Sequence, residues 1–456
     1  MMKIITSPKG GKDDGLVETG DLIKRLPPEI LSAIFLSVPS GASWAPNPLV
    51  HVRLSSVCRY WREIALNTGA LWSTITFFDT SSFQLAKLFL SRAKNCALDV
   101  ILFHKPLAGS WPMSNAAEIV LPTLPRWRTL IMDVGDWTEA TRAISLILTC
   151  CESKPSMAPR LHNLTFATVG GTTMGDTMRD LVERSIRVLR PDSLSFCGVL
   201  PTIPTSYEHV RHLSLQCLVN RPASLSLGYF ALILRAYTRL ETLRICHVMK
   251  ARGIERRTDS LSFPALKELS LFGGSLTMAK YILAAVKAPS LRSLQIRLSV
   301  QTLQHSIESF LCRHSSSIRE LKINRLYSHA ARFLQAVPNL EVFALIGSHA
   351  GPSLGHMVSA FTQPDVVVPR FPAFEIHAQV LSPEAVESLK AIVGLIPLAS
   401  LSIRAQSGYA AEEQQDRDKD WFCARVEVVS WNLGYEIDSC NQCYESLAAP
   451  NHSPLI

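Results

Sequence analysis

Cys440 and Cys443 are separated by two residues, the spacing of half a zinc site. A tetrahedral zinc needs four ligands. Only Cys423 and His452 lie nearby, and their spacing makes no second pair. Gly351-Pro352-Ser353-Leu354-Gly355 matches G-x-S-x-G. That nucleophile needs a tight strand-to-helix turn and an oxyanion segment. The strand pattern before it ends near Ile346, and no HGGG-like segment occurs. The segment from Gly170 to Thr177 spaces like a phosphate loop, but Asp176 stands where the lysine belongs and would repel phosphate. It reads as a turn with Asp176 capping a helix start. Cys150-Cys151 closes an apolar helical stretch and reads as packing. The segment from Glu412 to Asp420 holds five acids and two bases and reads as a solvated loop or polar helix face. No catalytic residue, metal or cofactor is assigned.

The chain that must position any site has 456 residues, 47% hydrophobic and 18% charged. That composition excludes a disordered chain. At about 100–200 residues per domain it holds two to four units or one elongated array. The longest apolar run, Ala391 to Leu401, is broken by Gly394 and Pro397. It falls short of the roughly 20 residues of a membrane span. The first residues lack the apolar core of a secretory signal. The net charge of +8 is spread along the chain, with small clusters such as Lys250, Arg252, Arg256 and Arg257. A nucleic-acid stripe would be longer and denser. The 11 cysteines, for example Cys217 and Cys246 among apolar neighbours, read as reduced, buried thiols. They point to the cytoplasm and/or nucleus.

From Leu22 the pattern becomes periodic. Pro27 and Pro28 suit the first turn of a helix, where a missing N–H costs nothing. Ile30, Leu31, Ile34, Phe35 and Val38 follow on one helical face. After a Pro- and Gly-rich loop, Leu54, Val57, Cys58, Trp61, Ile64 and Ala65 form a second periodic stretch, ending near Asn67-Thr68-Gly69. Leu71 and Trp72 come next.

These residues resemble the F-box. The matching positions are Leu26, Pro27, Glu29, Ile30, Leu31, Ile34 and Phe35, then Val57, Cys58, Arg59, Trp61 and Arg62, then Leu71 and Trp72. The connection from Pro39 to Val50 is longer and richer in Pro than is usual for the family. The resemblance implies docking onto the Skp-type adaptor of a cullin–RING ubiquitin ligase. It places Leu26, Pro27, Ile30, Leu31, Ile34, Val57, Cys58 and Trp61 in the adaptor-binding unit, some of them internal to it.

Downstream, apolar residues recur as L-x-x-L-x-L. The middle positions are Leu130, Leu164, Leu194, Leu213, Leu243, Leu269, Leu294, Leu321, Phe343, Phe374 and Leu401. Their intervals run from 19 to 34 and average about 27, near the leucine-rich-repeat period. Each copy predicts a short strand with one buried face. Helical patterns lie between them at residues 177–189, 227–237, 277–286, 304–312, 330–337 and 384–393. The usual Asn after the last apolar position is replaced throughout, for example by Gly274 and Ser348. The repeats therefore resemble leucine-rich repeats in strand signature and period only. A doubly wound α/β domain is the alternative, but Arg244, Gln295, Lys322 and Arg404 interrupt the buried positions. Strands covered on both faces would be apolar throughout.

The expected fold is α/β: a small N-terminal helical F-box, then an irregular leucine-rich-repeat-like solenoid with a curved parallel sheet, a combination similar to F-box proteins of the fungal type. The expected boundaries are a lead-in at 1–20, the F-box-like domain at 21–75, a linker and first irregular repeat at 76–120, the solenoid at 121–435 and a tail at 436–456. The implied partners are the Skp-type adaptor, a cullin through it, and an unknown protein substrate, with no membrane and with nucleic acid disfavoured. An interaction scaffold uncoupled from ubiquitin transfer and a nucleic-acid-binding solenoid are the other readings. Substrate contact is expected on outward strand positions, with Arg244, Lys322 and Arg404 as candidates and Lys267, Glu268, Gln295, Arg319 and Glu320 beside them.

Overall fold

The L-x-x-L-x-L copies meet side by side. In the computed structural model, Leu130, Leu164, Leu194, Leu213, Leu243, Leu269, Leu294, Leu321, Phe343, Phe374 and Leu401 are consecutive register partners across parallel strands. One row of the sheet is thus the repeat itself. The structure describes residues 26–38, 49–78, 82–103, 111–135, 137–168, 176–199, 207–216, 227–247, 260–298, 303–326, 330–364, 366, 368, 370–407 and 412–433.

In chain order the strands are β1 (Thr74–Phe77), β2 (Leu98–Phe103), β3 (Trp127–Val134), β4 (Asn163–Thr168), β5 (Ser193–Cys197), β6 (His212–Gln216), β7 (Thr242–Cys246) and β8 (Leu261–Ser262). They continue with β9 (Glu268–Phe272), β10 (Val286–Lys287), β11 (Ser293–Arg297), β12 (Glu320–Ile323), β13 (Val342–His349), β14 (Ala373–Val380), β15 (Ser400–Ser407) and β16 (Val428–Leu433). Among the described residues β8 and β10 pair apart, and the other 14 form one sheet in strictly sequential order. A doubly wound sheet reverses its order at a switch point; this one does not. The sheet extends past the predicted row at both ends: Ile75 and Val100 precede Leu130, and Val429 follows Leu401. Trp72, Ile75 and Phe77 keep the same apolar spacing at the first strand, overlapping the end of the F-box-like pattern.

Helices occupy the crossovers. Asp176–Leu189, Leu227–Arg235, Leu276–Ala285, Gln304–Arg313, Ala330–Gln335 and Pro383–Leu395 match the predicted segments closely. Sequential parallel strands joined by crossovers of one hand place these helices on one face of the sheet. Their apolar stripes close on the strands' buried positions, and a single apolar core runs from Leu31 to Val426.

Alternation fails at several outer-face positions, both within strands and at their carboxyl ends. Cys246, Phe272, Ala344 and Ile346 are buried although they lie on the outer face. The Asn ladder missing from the sequence has a local substitute. Gly198, His247 and Gly273 adopt positive φ of 71°, 50° and 55° at strand ends. Their N–H groups donate to Gln216, Phe272 and Arg297 carbonyls on the next strand. A left-handed residue thus turns the chain while keeping its N–H paired. At Gly273 an added Cβ would lie 2.3 Å from His247 Nδ1, so only glycine fits.

Cys246 is buried but disulfide-bonded, which corrects its reading as a reduced thiol. Cys58, Cys312 and Cys423 are free but exposed, and Cys151 is the one free cysteine buried among the described residues. Cys217, Cys440, Cys443, His452, the basic cluster at 250–257 and the glycines at 170–175 lie outside the described residues.

Candidate docking surface

The N-terminal unit is built by helices Pro28–Ser37, Leu49–Ser56 and Arg59–Asn67, followed by a short turn of helix at Gly69–Trp72. The predicted second stretch is thus two helices, broken at Val57-Cys58. Cys58 is extended, and its Sγ accepts the Trp61 N–H at 3.4 Å as an N-cap. Tertiary hydrogen bonds fix the arrangement. The Tyr60 hydroxyl donates to the Leu26 carbonyl at 2.9 Å, and Arg62 Nε donates to the Ser55 carbonyl at 3.0 Å. Ser32 and Thr68 share a hydroxyl pair at 2.9 Å. Phe35 packs on Trp61 with ring centroids 4.9 Å apart.

Helical geometry sorts the predicted residues. Leu31 and Phe35, four apart, face inward and are 2% and 0% exposed. Ile30 and Ile34, rotated one residue, face outward and are 49% and 44% exposed. Pro27 lies on the same outer line, and Val57 and Cys58 are exposed at the helix break, while Leu26 and Trp61 are half-buried. Leu31 therefore belongs to the core of the unit. Leu36 and Leu49 join the exposed set, though the spacing pattern did not single them out. Among the described residues ten large apolar side chains are exposed, and five of them lie between residues 30 and 57. Such clustering marks an interaction surface.

On the sheet, Arg244 and Lys322 occupy one cross-strand row, separated by Ser270 and Gln295. Three strand spacings put their backbones about 14 Å apart. Arg404 lies one outward position further along and three strands beyond Lys322, beside His377. The three do not converge. Lys322 pairs with Glu320 at 2.6 Å. Glu375 is held below the ordinary carboxylate value by its hydrogen bond with His377, against burial, and by the charges of Lys322 and Arg404. Lys267 and Arg319 precede their strands rather than lying within them. They pair with Glu241 at 2.5 Å and with Glu341 at 3.5 Å.

The G-x-S-x-G serine is structural. Strand β13 runs on to His349, so the turn is tighter than the sequence suggested. Yet Ser353 lies inside helix Gly351–Phe361, is 3% exposed, and its Oγ accepts the Leu326 N–H at 3.1 Å. The acidic segment forms helix Glu412–Cys423, with Asp418 turned inward against Lys390 at 2.7 Å. Among the described residues no cluster of His, Cys, Asp and Glu could hold a metal ion, and no helix is long and apolar enough to cross a membrane.

Residues 23–78 match the F-box-like family. This span contains the three helices and all the exposed apolar residues just described between residues 30 and 57. No curated protein matches the chain. The chain thus carries a helical F-box-like domain followed by an α/β region with a large parallel sheet.

Proposed function

We propose that the protein is a non-catalytic, substrate-recognition adaptor of an SCF-type ubiquitin ligase. Its F-box-like domain docks a Skp-type adaptor, and through it a cullin. The α/β region is a leucine-rich-repeat-like solenoid whose outer strand face holds a protein substrate. The observation that carries the reading is the outward apolar line of Pro27, Ile30 and Ile34 on a domain that matches the F-box-like family. The near-27-residue period and the sequential parallel order support the solenoid.

The test is co-purification of the full chain with a Skp-type adaptor, comparing the wild type with Ile30→Lys/Ile34→Lys. Burying one such side chain is worth roughly 1.5–3 kcal/mol, so losing two should weaken binding tenfold or more. Adaptor recovery that does not change in the variant would sink the assignment.

A further inference from the structure

The outer strand face carries two arginines over one aromatic floor. Phe272 on β9 lies between Cys246 on β7 and Arg297 on β11. Its ring is 7% exposed. Arg244 Cζ lies 5.9 Å from the ring centroid and Arg297 Cζ 5.1 Å. A guanidinium is attracted to an aromatic face while its N–H edge stays available. With the Gln295 amide oxygen turned toward it, Arg297 also donates through Nε and Nη2 at 3.1 and 3.2 Å. Arg297 is thereby held in position before any partner arrives, and Arg244 stands exposed above the same ring.

Their surroundings distinguish this spot from the rest of the face. Lys322 is compensated by Glu320, and Arg404 contributes to the field at Glu375. Arg244 is exposed, and no carboxylate pairs with it among the described residues. Glu268, two residues before Ser270 on β9, is the carboxylate on the floor strand itself. Along the row from Arg244, Ser214, Ser195 and Thr165 continue on one side and Ser270 on the other.

The geometry points to a docking site for an extended, carboxylate-rich peptide segment of a protein partner, its acidic side chains gripped by Arg244 and Arg297 above Phe272. This deepens, and rests on, the reading of the strand face as the partner-binding side. Charge complementarity selects the occupant: a carboxylate matches a guanidinium fork in two parallel hydrogen bonds. Single negative charges suit the spot better than a phosphate dianion, because Glu268 lies on the floor strand.

The experiment uses the full chain and a short fluorescent peptide of alternating Glu and Gly, followed by anisotropy at two salt concentrations. The Glu peptide should bind and weaken with salt, while its Gln counterpart should not bind. Arg244→Ala/Arg297→Ala should lower affinity by about tenfold or more. Arg244→Lys/Arg297→Lys, which keeps charge but loses the fork, should also weaken it. Equal binding of the Gln peptide, or undiminished affinity in both double variants, overturns the proposal. Tighter binding of a phosphoserine peptide than of the Glu peptide overturns the commitment to carboxylates. Adaptor capture is read separately. Ile30→Lys/Ile34→Lys should keep peptide binding, so failure of the adaptor reading and failure of this site give different results.

Discussion

His314 Nε2 accepts the backbone N–H of Ala288 at 3.2 Å, bridging 26 residues of chain. Its Nδ1 therefore carries the proton and donates to the Phe310 carbonyl at 2.9 Å. The ring is 6% exposed and ties the helix Gln304–Arg313 to the end of the preceding crossover. Neutrality is required, because a protonated Nε2 would face an N–H donor.

The first prediction follows from that contact. Burial keeps the His314 imidazole below its ordinary value of 6.5. The unfolded chain therefore takes up the proton first, and stability falls as pH drops below about 6.5 toward the lower folded value. His314→Leu strands the Ala288 N–H and should cost about 1–3 kcal/mol at pH 8. That deficit should shrink as pH falls toward 5, because the variant has no imidazole to protonate. Denaturant melts at several pH values check this, and a deficit independent of pH would refute it.

The F-box-like domain should separate into core and surface. Leu31→Ala empties a buried site and should cost about 2–5 kcal/mol, lowering adaptor capture only through unfolding. Ile30→Lys should leave the thermal midpoint nearly unchanged. If Ile30→Lys proves as destabilising as Leu31→Ala, the assignment of faces on helix Pro28–Ser37 is wrong.

Trp72 couples the two parts of the chain. Its Nε1 donates to the Ala65 carbonyl at 2.7 Å, and its ring meets Phe89 at 5.1 Å and the Arg92 guanidinium at 4.5 Å. Trp72→Phe keeps the edge-on ring contact but removes one of two N–H groups on the Ala65 carbonyl, which also accepts from Thr68 at 3.3 Å, and should cost about 1 kcal/mol. Removing residues 1–75 bares Phe89, so that fragment should be less soluble than the full chain. A soluble, cooperatively melting fragment would show the coupling to be weak.

Lys390 and Asp418 should behave as a pair. Burial pulls the Lys390 ammonium down, but the Asp418 and Glu387 carboxylates together hold it above its ordinary value. Asp418 is 3% exposed, so Lys390→Ala removes the ion pair of a buried carboxylate to which Gln414 still donates at 3.2 Å, and should cost about 3 kcal/mol. The Lys390→Ala/Asp418→Ala double variant should recover part of that loss. Strict additivity in the double-mutant cycle would count against the pairing.

The sequence by itself determined the helical F-box-like unit and the eleven central strands. Both are written in local spacing: Leu31 and Phe35 four apart, Leu243 and Ile245 two apart, and a period that brings Leu243 beside Leu269. Spacing encodes which residues share a face, because helix and strand geometry are fixed by the backbone. It does not encode which of two apolar faces is covered. Only tertiary packing left Ile30 and Ile34 outside while burying Leu31. Only packing buried Phe272 on the outer sheet face and brought Arg244 and Arg297, 53 residues apart in the chain, over it. Tertiary structure likewise turned Asp418 inward from a helix whose composition reads as solvated, and put Ser353 to use as an acceptor for Leu326. These outcomes depend on neighbours distant in the chain, which no local period records.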